Sequence, residues 1–371
     1  MASQTVASAQ PRLAVPGLAG ALVPISVGLV GLGLLFHVEI AAAVRVWLDS
    51  TAYNHCFLVI PIVAYLLWDR RETLGAVAAR PIPLLALAAL PLSAAWLVAE
   101  RIGFMEGRQL VAMTSVELLL LAVLGWRTFW MLSGPLLYLY FLVPFGDFLT
   151  PALQDFTAFF VMHGLDWLGI ANYTDGYVIQ IPEGTFFIAE ACAGLRFLIA
   201  SIAFGCLYSL LIYRTPGRRL GFIVASLIVP IIANGFRALG IVVLGHVLGS
   251  AQAAETDHIL YGWIFFSIVI LILVAIGLPF RQDQIVAAST RPAPPPSPRA
   301  PIVATVALLL LLTAFGPATA FALTRAAGQQ VAVFDLGGSA RCVLVPPGAS
   351  AAEASRIVVL GHVLGSAQAA E

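Results

Sequence analysis

Three short stretches of this chain carry residues able to do covalent chemistry, and each borders or interrupts an apolar run. EACAGLRF brings Glu190, Cys192 and Arg196 together, ANGFRALG sets Asn234 and Arg237 three residues apart, and TDHILYGWIFF contributes Asp257 and His258. A thiol, a guanidinium and an imidazole are the parts of a nucleophile site. Cys attacks as a thiolate, which a nearby cation favours, and His serves first as general base and then as general acid. Arg stays protonated, so its role is to hold a substrate carbonyl, a carboxylate or a developing oxyanion. Asn234 shares a helix face with Arg237 and is placed to orient it or to donate to the same oxyanion. Asp257 can fix the tautomer of His258, and Arg196 is suited to a phosphate headgroup or to Glu190.

These groups can act together only if separate elements carry them to one depth, and the composition says in which solvent. Of 371 residues, 60% are hydrophobic and 10% charged, with a mean hydropathy of +0.96. Soluble domains carry about 25% charge, so the bilayer is the main solvent here. Nineteen basic and nineteen acidic residues cancel to a formal charge of zero, which leaves no electrostatic footprint for a nucleic-acid partner. The basic residues apart from His are all Arg, excluding a Schiff-base lysine or a phosphate-loop lysine. The four cysteines, Cys56, Cys192, Cys206 and Cys342, form no C-x-x-C pair, so neither a zinc ribbon nor a disulfide framework is indicated. His and carboxylates lack ligand-like spacing at the candidate site; no metal and no cofactor is expected.

Apolar runs long enough to cross ~30 Å of hydrocarbon recur at 15–37, 53–68, 82–99, 109–126, 128–146, 192–213, 220–248, 258–280 and 301–324. The expected fold class is an all-α integral membrane protein, a polytopic bundle of eight spans plus a ninth C-terminal one. Arg70, Arg71 and Arg80 follow the second run, Arg127 the fourth, Arg214, Arg218 and Arg219 the sixth, and Arg281, Arg291 and Arg299 the eighth. Short cytoplasmic loops collect positive charge, so a cytoplasmic N-terminus puts all four clusters inside, provided that 149–171 does not cross. That segment is expected to lie along the outer interface, with its polar residues breaking the apolar pattern and Trp167 at headgroup depth. The first run, preceded by Arg12 alone among basic residues, is read as a retained helix rather than a signal peptide. Arg237 lies 18 residues beyond Arg219, about 27 Å along a helix, near the outer leaflet. Cys192 and His258 open their spans on that same side, where Cys192 would gain from a helix N-terminus if the sixth helix starts there.

Between the interfacial segment and Cys192 the pattern changes. Tyr177, Ile179 and Ile181 alternate with their neighbours, Pro182-Glu183-Gly184 supplies a turn, and TFFI follows, which predicts a short outer hairpin. A Pro-rich linker at 283–300 divides the body, 1–282, from a segment at 301–371 that holds one more helix and the opening strands of a truncated outer domain, VAVFDLGGSARCVLVPPGA. Residues 357–371 repeat 241–255 identically; evolved repeats diverge and recur at a steady period, so the copy reads as artefactual and His362 receives no role.

Plainer readings stand beside the catalytic one. A single Cys in a helix often serves as a small hydrophobe, as Cys206 and Cys342 are read here. Arg237 could be a structural partner of Glu190 or Asp257, and His258 a loop-end imidazole. His246 reads as neutral filler at the interface, and nothing in the sequence connects His55 or His163 to the site.

ACAGLR at 191–196, ANGFR at 233–237 and DHILYGWIFF at 257–266, in that order on consecutive spans, resemble the exosortases and archaeosortases, multi-pass membrane enzymes regarded as cysteine transpeptidases. YNHCFLVIPIVAYLLWDRR at 53–71 is similar to the family's early segment, although Cys56 stands where Gly is usual and Ala193 where Ser is commoner. The resemblance implies a catalytic set of Cys192, Arg237 and His258. It also implies a bacterial inner-membrane location, with the active site facing the periplasm, and a link to exopolysaccharide production. The implied substrates are exported proteins bearing a short Pro-Glu-Pro-type (PEP-CTERM) motif, a transmembrane helix and a basic tail. They would be cut through a Cys192 thioester that water or an acceptor nucleophile resolves, with membrane lipids as the surroundings. The alternative from another class is a transporter or polysaccharide-export component, in which Arg237 and His258 line a path and Cys192 is idle. That reading calls for interrupted helices at matching positions in two repeated halves. An intramembrane hydrolase or acyltransferase acting on lipid and a non-catalytic assembly subunit are further alternatives.

Overall fold

An apolar segment in hydrocarbon has no water for its backbone N–H and C=O groups, so it satisfies them within itself as a helix. The computed structural model of the protein describes residues 18–71, 74, 78–249, 258–282, 299–326, 331–334 and 341–344. Its first helices are α1 (Ala19–Leu35), α2 (His37–Asp49), α3 (Cys56–Asp69), α4 (Ala89–Arg101, entered through a 3-10 turn at Pro83–Ala88), α5 (Met105–Leu124) and α6 (Trp126–Tyr138). After α7 (Thr150–Leu168) come strands β1 (Tyr173–Asp175), β2 (Val178–Ile181) and β3 (Gly184–Phe187). They are followed by α8 (Leu195–Ile212), α9 (Pro216–Leu248), α10 (His258–Gly277) and α11 (Arg299–Ala326), with β4 (Val331–Phe334) and β5 (Arg341–Leu344) last. Asp257, linker residues 283–298 and the repeated tail lie outside the described residues.

The protein is an all-α polytopic membrane protein. Each of the nine expected apolar runs coincides with a helix, but several are not straight full-length spans. Among the described residues, five helices are long and apolar enough to cross a bilayer: Pro83–Arg101, Met105–Leu124, Glu190–Ile212, Pro216–Leu248 and Arg299–Arg325. Two further stretches pass only as bent pairs, Gly20–Leu35 with His37–Asp49 at 79° and Trp126–Leu142 with Asp147–Leu168 at 73°. The second bend is where the sequence breaks the helix, at Pro144 and at Gly146 with φ +135°. The segment 149–171, expected not to continue the preceding span, is therefore α7, turned away from α6.

The first helices and α11 form one packed group. Leu32 of α1, Leu119 and Val123 of α5, and Ile302 and Leu309 of α11 meet in one core. The helix after the linker is thus packed into the body: Ser93 Oγ of α4 donates to Thr313 O at 3.1 Å and accepts from Gly316 N at 2.6 Å. A buried charge network ties the near ends of α2, α4 and α5. Glu39 accepts from Trp96 Nε1 at 2.9 Å and from Arg108 Nε at 2.8 Å, and Arg108 also pairs with Glu100.

The second group is organised by α9. At 33 residues it is about 50 Å long, longer than the ~30 Å of hydrocarbon. Its first half packs on α8 and α10 through Phe222, Val269 and Leu273. The α8–α9 approach is close enough that a methyl group added at Gly205 would strike Ser226, as small residues permit between membrane helices. The second half of α9 carries α7 and the small sheet: Val161 and Leu165 of α7, Ile179 and Phe186 of the sheet, and Ala238 and Val242 of α9 share a core. The expected hairpin is present as β2–β3, with Ile179 opposite Phe186 and Ile181 opposite Gly184. It gains a strand the alternation did not reveal, β1, in which Asp175 pairs with Val178 across Gly176 with φ +57°. The late pair β4–β5, with Val333 opposite Cys342, matches the expected opening strands.

Glu39 is 2% exposed, and removing one member of a buried ion pair strands the other. Glu39→Ala is expected to cost about 3 kcal/mol, read as a lowered unfolding temperature of the purified protein in detergent.

Candidate functional site

Cys192 closes a 3-10 turn, Glu190–Cys192, that precedes α8. The helix begins at Leu195, not at the cysteine, and Gly194 caps it in the left-handed region with φ +86°. The turn holds its shape through Cys192 N donating to Ala189 O at 2.8 Å and Ala193 N to Glu190 O at 3.0 Å. Its distal anchor comes from α9. Asn234 Nδ2 donates to Cys192 O at 2.9 Å and to Thr157 Oγ1 of α7 at 3.3 Å. Asn234 is 1% exposed, and its amide nitrogen is engaged in fixing the Cys192 backbone. Gly194 is required for this approach: a Cβ there would lie 2.6 Å from Asn234 Cγ, in a backbone region that L side chains disfavour.

Arg237, one turn beyond Asn234, is 3% exposed. Its guanidinium carbon lies 5.5 Å from the Phe197 ring of α8 and 5.9 Å from the Phe265 ring of α10, a geometry that stabilises a cation away from water. The two rings meet edge to face at 5.2 Å. Cys192 and Arg237 line one cleft of about 60 Å³, with Val161 of α7, Phe186 and Phe187 of β3, and Ala238 and Val242 of α9 as its apolar walls. His258 opens α10.

The supporting residues divide. Asn234 stands at the cysteine, while Glu190 and Arg196 line a separate groove with Asp147 and Thr150. Asp257 lies outside the described residues. His246, expected as interfacial filler, instead holds the turn of the sheet: its Nδ1 is 2.8 Å from Glu183 Oε2. That contact holds the Glu183 carboxyl below its ordinary range. Residues that the sequence reading passed over include Thr157, Phe197, Phe265 and Gly194. The glycine beside Cys192 was the available signal, since Gly before a helix marks a backbone that other residues resist.

A family model described as transmembrane exosortase (Exosortase_EpsH) matches residues 47–275. Searches of the curated proteins and of the solved structures find no match.

Two outcomes follow from this geometry. Asn234→Ala frees the Cys192 carbonyl, and Gly194→Ala pushes a methyl group into Asn234. Each is expected to change the rate at which Cys192 reacts with a soluble maleimide by about tenfold, since lost hydrogen bonds of this kind are worth ~1–3 kcal/mol. The Glu183–His246 contact has a definite sign with pH. A carboxyl whose pKa is lowered by folding contributes stability above its ordinary value, about 4.3, and loses it as pH falls through the lowered value. Proteolysis within 173–187 should therefore increase in acid, and Glu183→Gln should abolish that acid step.

Proposed function

The chain belongs to the transmembrane exosortase family, and from that premise we propose that it is a membrane-embedded cysteine peptidase and transpeptidase acting on the C-terminal sorting signals of exported proteins. The observation that carries this reading is the shared cleft: Cys192 and Arg237, on separate elements, line one cavity, and Asn234 ties the nucleophile's turn to the helix that bears the arginine.

The substrate's transmembrane helix approaches laterally through lipid, with its Pro-Glu-Pro-type motif at the depth of the cleft. Cys192 sulfur attacks the scissile carbonyl carbon. Arg237 holds the carbonyl oxygen as negative charge develops on it, in apolar surroundings that strengthen the interaction. His258 takes the thiol proton and returns it to the departing nitrogen. The C–N bond breaks, the helix and basic tail leave, and a thioester remains on Cys192. Water or an acceptor then attacks that carbonyl and the C–S bond breaks. The distribution of Arg supports a cytoplasmic N-terminus and an outward-facing cleft in a bacterial inner membrane, where sorting would accompany exopolysaccharide production.

The test is co-expression of a protein carrying the three-part C-terminal signal with wild type, Cys192→Ala, Arg237→Ala or His258→Ala, followed by gel shift. Wild type is expected to shorten the substrate. Cys192→Ala should abolish processing and the other two variants reduce it at least ~100-fold, in the range of lost acid–base and oxyanion contributions. Processing that persists in Cys192→Ala would overturn the assignment.

A further inference from the structure

The cleft lined by Cys192 and Arg237 is small, and its inner walls have little room to retreat. Its volume is about 60 Å³, enough for about two water-sized groups at ~30 Å³ each and well short of the ~150 Å³ that accepts benzene. Val161 is 0% exposed, Val242 4% and Ala238 8%, and all three belong to the core shared by α7, the sheet and α9. Phe186 lies close over the backbone of α9: a methyl group added at Gly245 would be 2.5 Å from its Cζ. Walls packed in this way admit an extra methylene only with strain.

The lining is also chemically narrow. Cys192 and Arg237 supply its polar side chains, and the other described residues around it are aliphatic or aromatic. Attack by the Cys192 sulfur, with the carbonyl oxygen held on Arg237, puts the residue that owns the carbonyl in this cleft. The oxygen takes one of the two places, and a single methyl group fills the other. A basic side chain would meet Arg237 with no counter-ion, which is costly away from water. An acidic one would pair with Arg237 and withdraw it from the oxyanion. A proline ring, like any larger side chain, exceeds the space.

We propose that this cleft selects the residue at the cut: the amino acid whose carbonyl Cys192 attacks is glycine or alanine, and Val161, Phe186, Ala238 and Val242 determine that specificity. This rests on the acyl-enzyme reading above. Neither residue type of the Pro-Glu-Pro-type motif fits the cleft, so the scissile bond follows a small residue outside the motif.

The experiment uses the full chain in phosphatidylcholine vesicles with a synthetic substrate bearing the C-terminal signal. Product masses locate the bond cut by wild type, and the residue supplying its carbonyl is then varied through Gly, Ala, Val, Leu, Phe and Glu, with the rate followed for that bond alone. Wild type is expected to cut after Gly or Ala, with kcat/KM lower by at least ~10-fold for Val and ~100-fold for Leu, Phe and Glu, since one methylene in an apolar pocket is worth about 10–200-fold. Val242→Ala widens the cleft and should raise the Val-to-Ala rate ratio at least ~10-fold, whereas Ala238→Val narrows it and should lower the Ala-to-Gly ratio by a similar factor. Each ratio compares two substrates on one variant, so a general loss of folded protein does not move it; should Val242→Ala not fold, Val161→Ala opens the same cleft from α7. Equal cutting after Ala and Leu by wild type, a cut after Pro or Glu of the motif, or ratios unmoved in the widened and narrowed variants overturns the specificity proposal and leaves Cys192 as nucleophile. Absence of cleavage, or cleavage by Cys192→Ala, overturns the acyl-enzyme reading and this proposal with it.

Discussion

The amide of Asn234 holds the carbonyl of Cys192, and much of the surrounding architecture serves to make that contact possible. The cysteine belongs to an irregular turn, which left to itself has many conformations of similar energy. Tying its carbonyl to a buried side chain on α9 removes that freedom, and it can do so only because Gly194 lets the two chains approach. Thr157 accepts from the same amide, so α7 has to lie against α9 as well. The bend that separates α7 from α6 and the sheet that follows α7 are what permit this packing.

Arg237 illustrates the accompanying constraint. A guanidinium on a membrane helix is costly unless its surroundings compensate for lost water. Phe197 and Phe265 present their rings to it from two other helices, so α8, α9 and α10 must converge at the level where the cleft lies. The length of α9 adds a second consequence: its far half supports α7 and the three-stranded sheet, whose Phe186 and Phe187 wall the cleft.

Much of this was legible in the residues. Apolar runs gave the membrane class and the helix positions, because backbone satisfaction in lipid leaves few alternatives. The depth argument from Arg219 to Arg237 brought the guanidinium to the level of Cys192, and the cleft joins them. What pattern could not supply were the partners made by tertiary packing. The contact of Asn234 with Cys192 O is one of them, and Glu190 and Arg196, close in sequence to Cys192, face a different cavity. Strand β1 was missed because Asp175-Gly176 is a turn signal that competes with only three strand residues, too few for alternation to register. The bend at 36 was missed for a related reason: hydropathy measures what a residue dissolves in, and says nothing of the direction in which its helix runs.

The central claim is that Cys192 becomes covalently attached to the substrate. Its most direct test is mass measurement of the intact protein, quenched in acid within seconds of mixing with a synthetic substrate. The predicted result is a species heavier by the mass of the substrate fragment upstream of the scissile bond. That adduct should map to Cys192 after digestion and be released by hydroxylamine, as a thioester is. Product formation with no such adduct under conditions where a stable Cys alkylation is readily seen, or an adduct on another residue, would contradict the account.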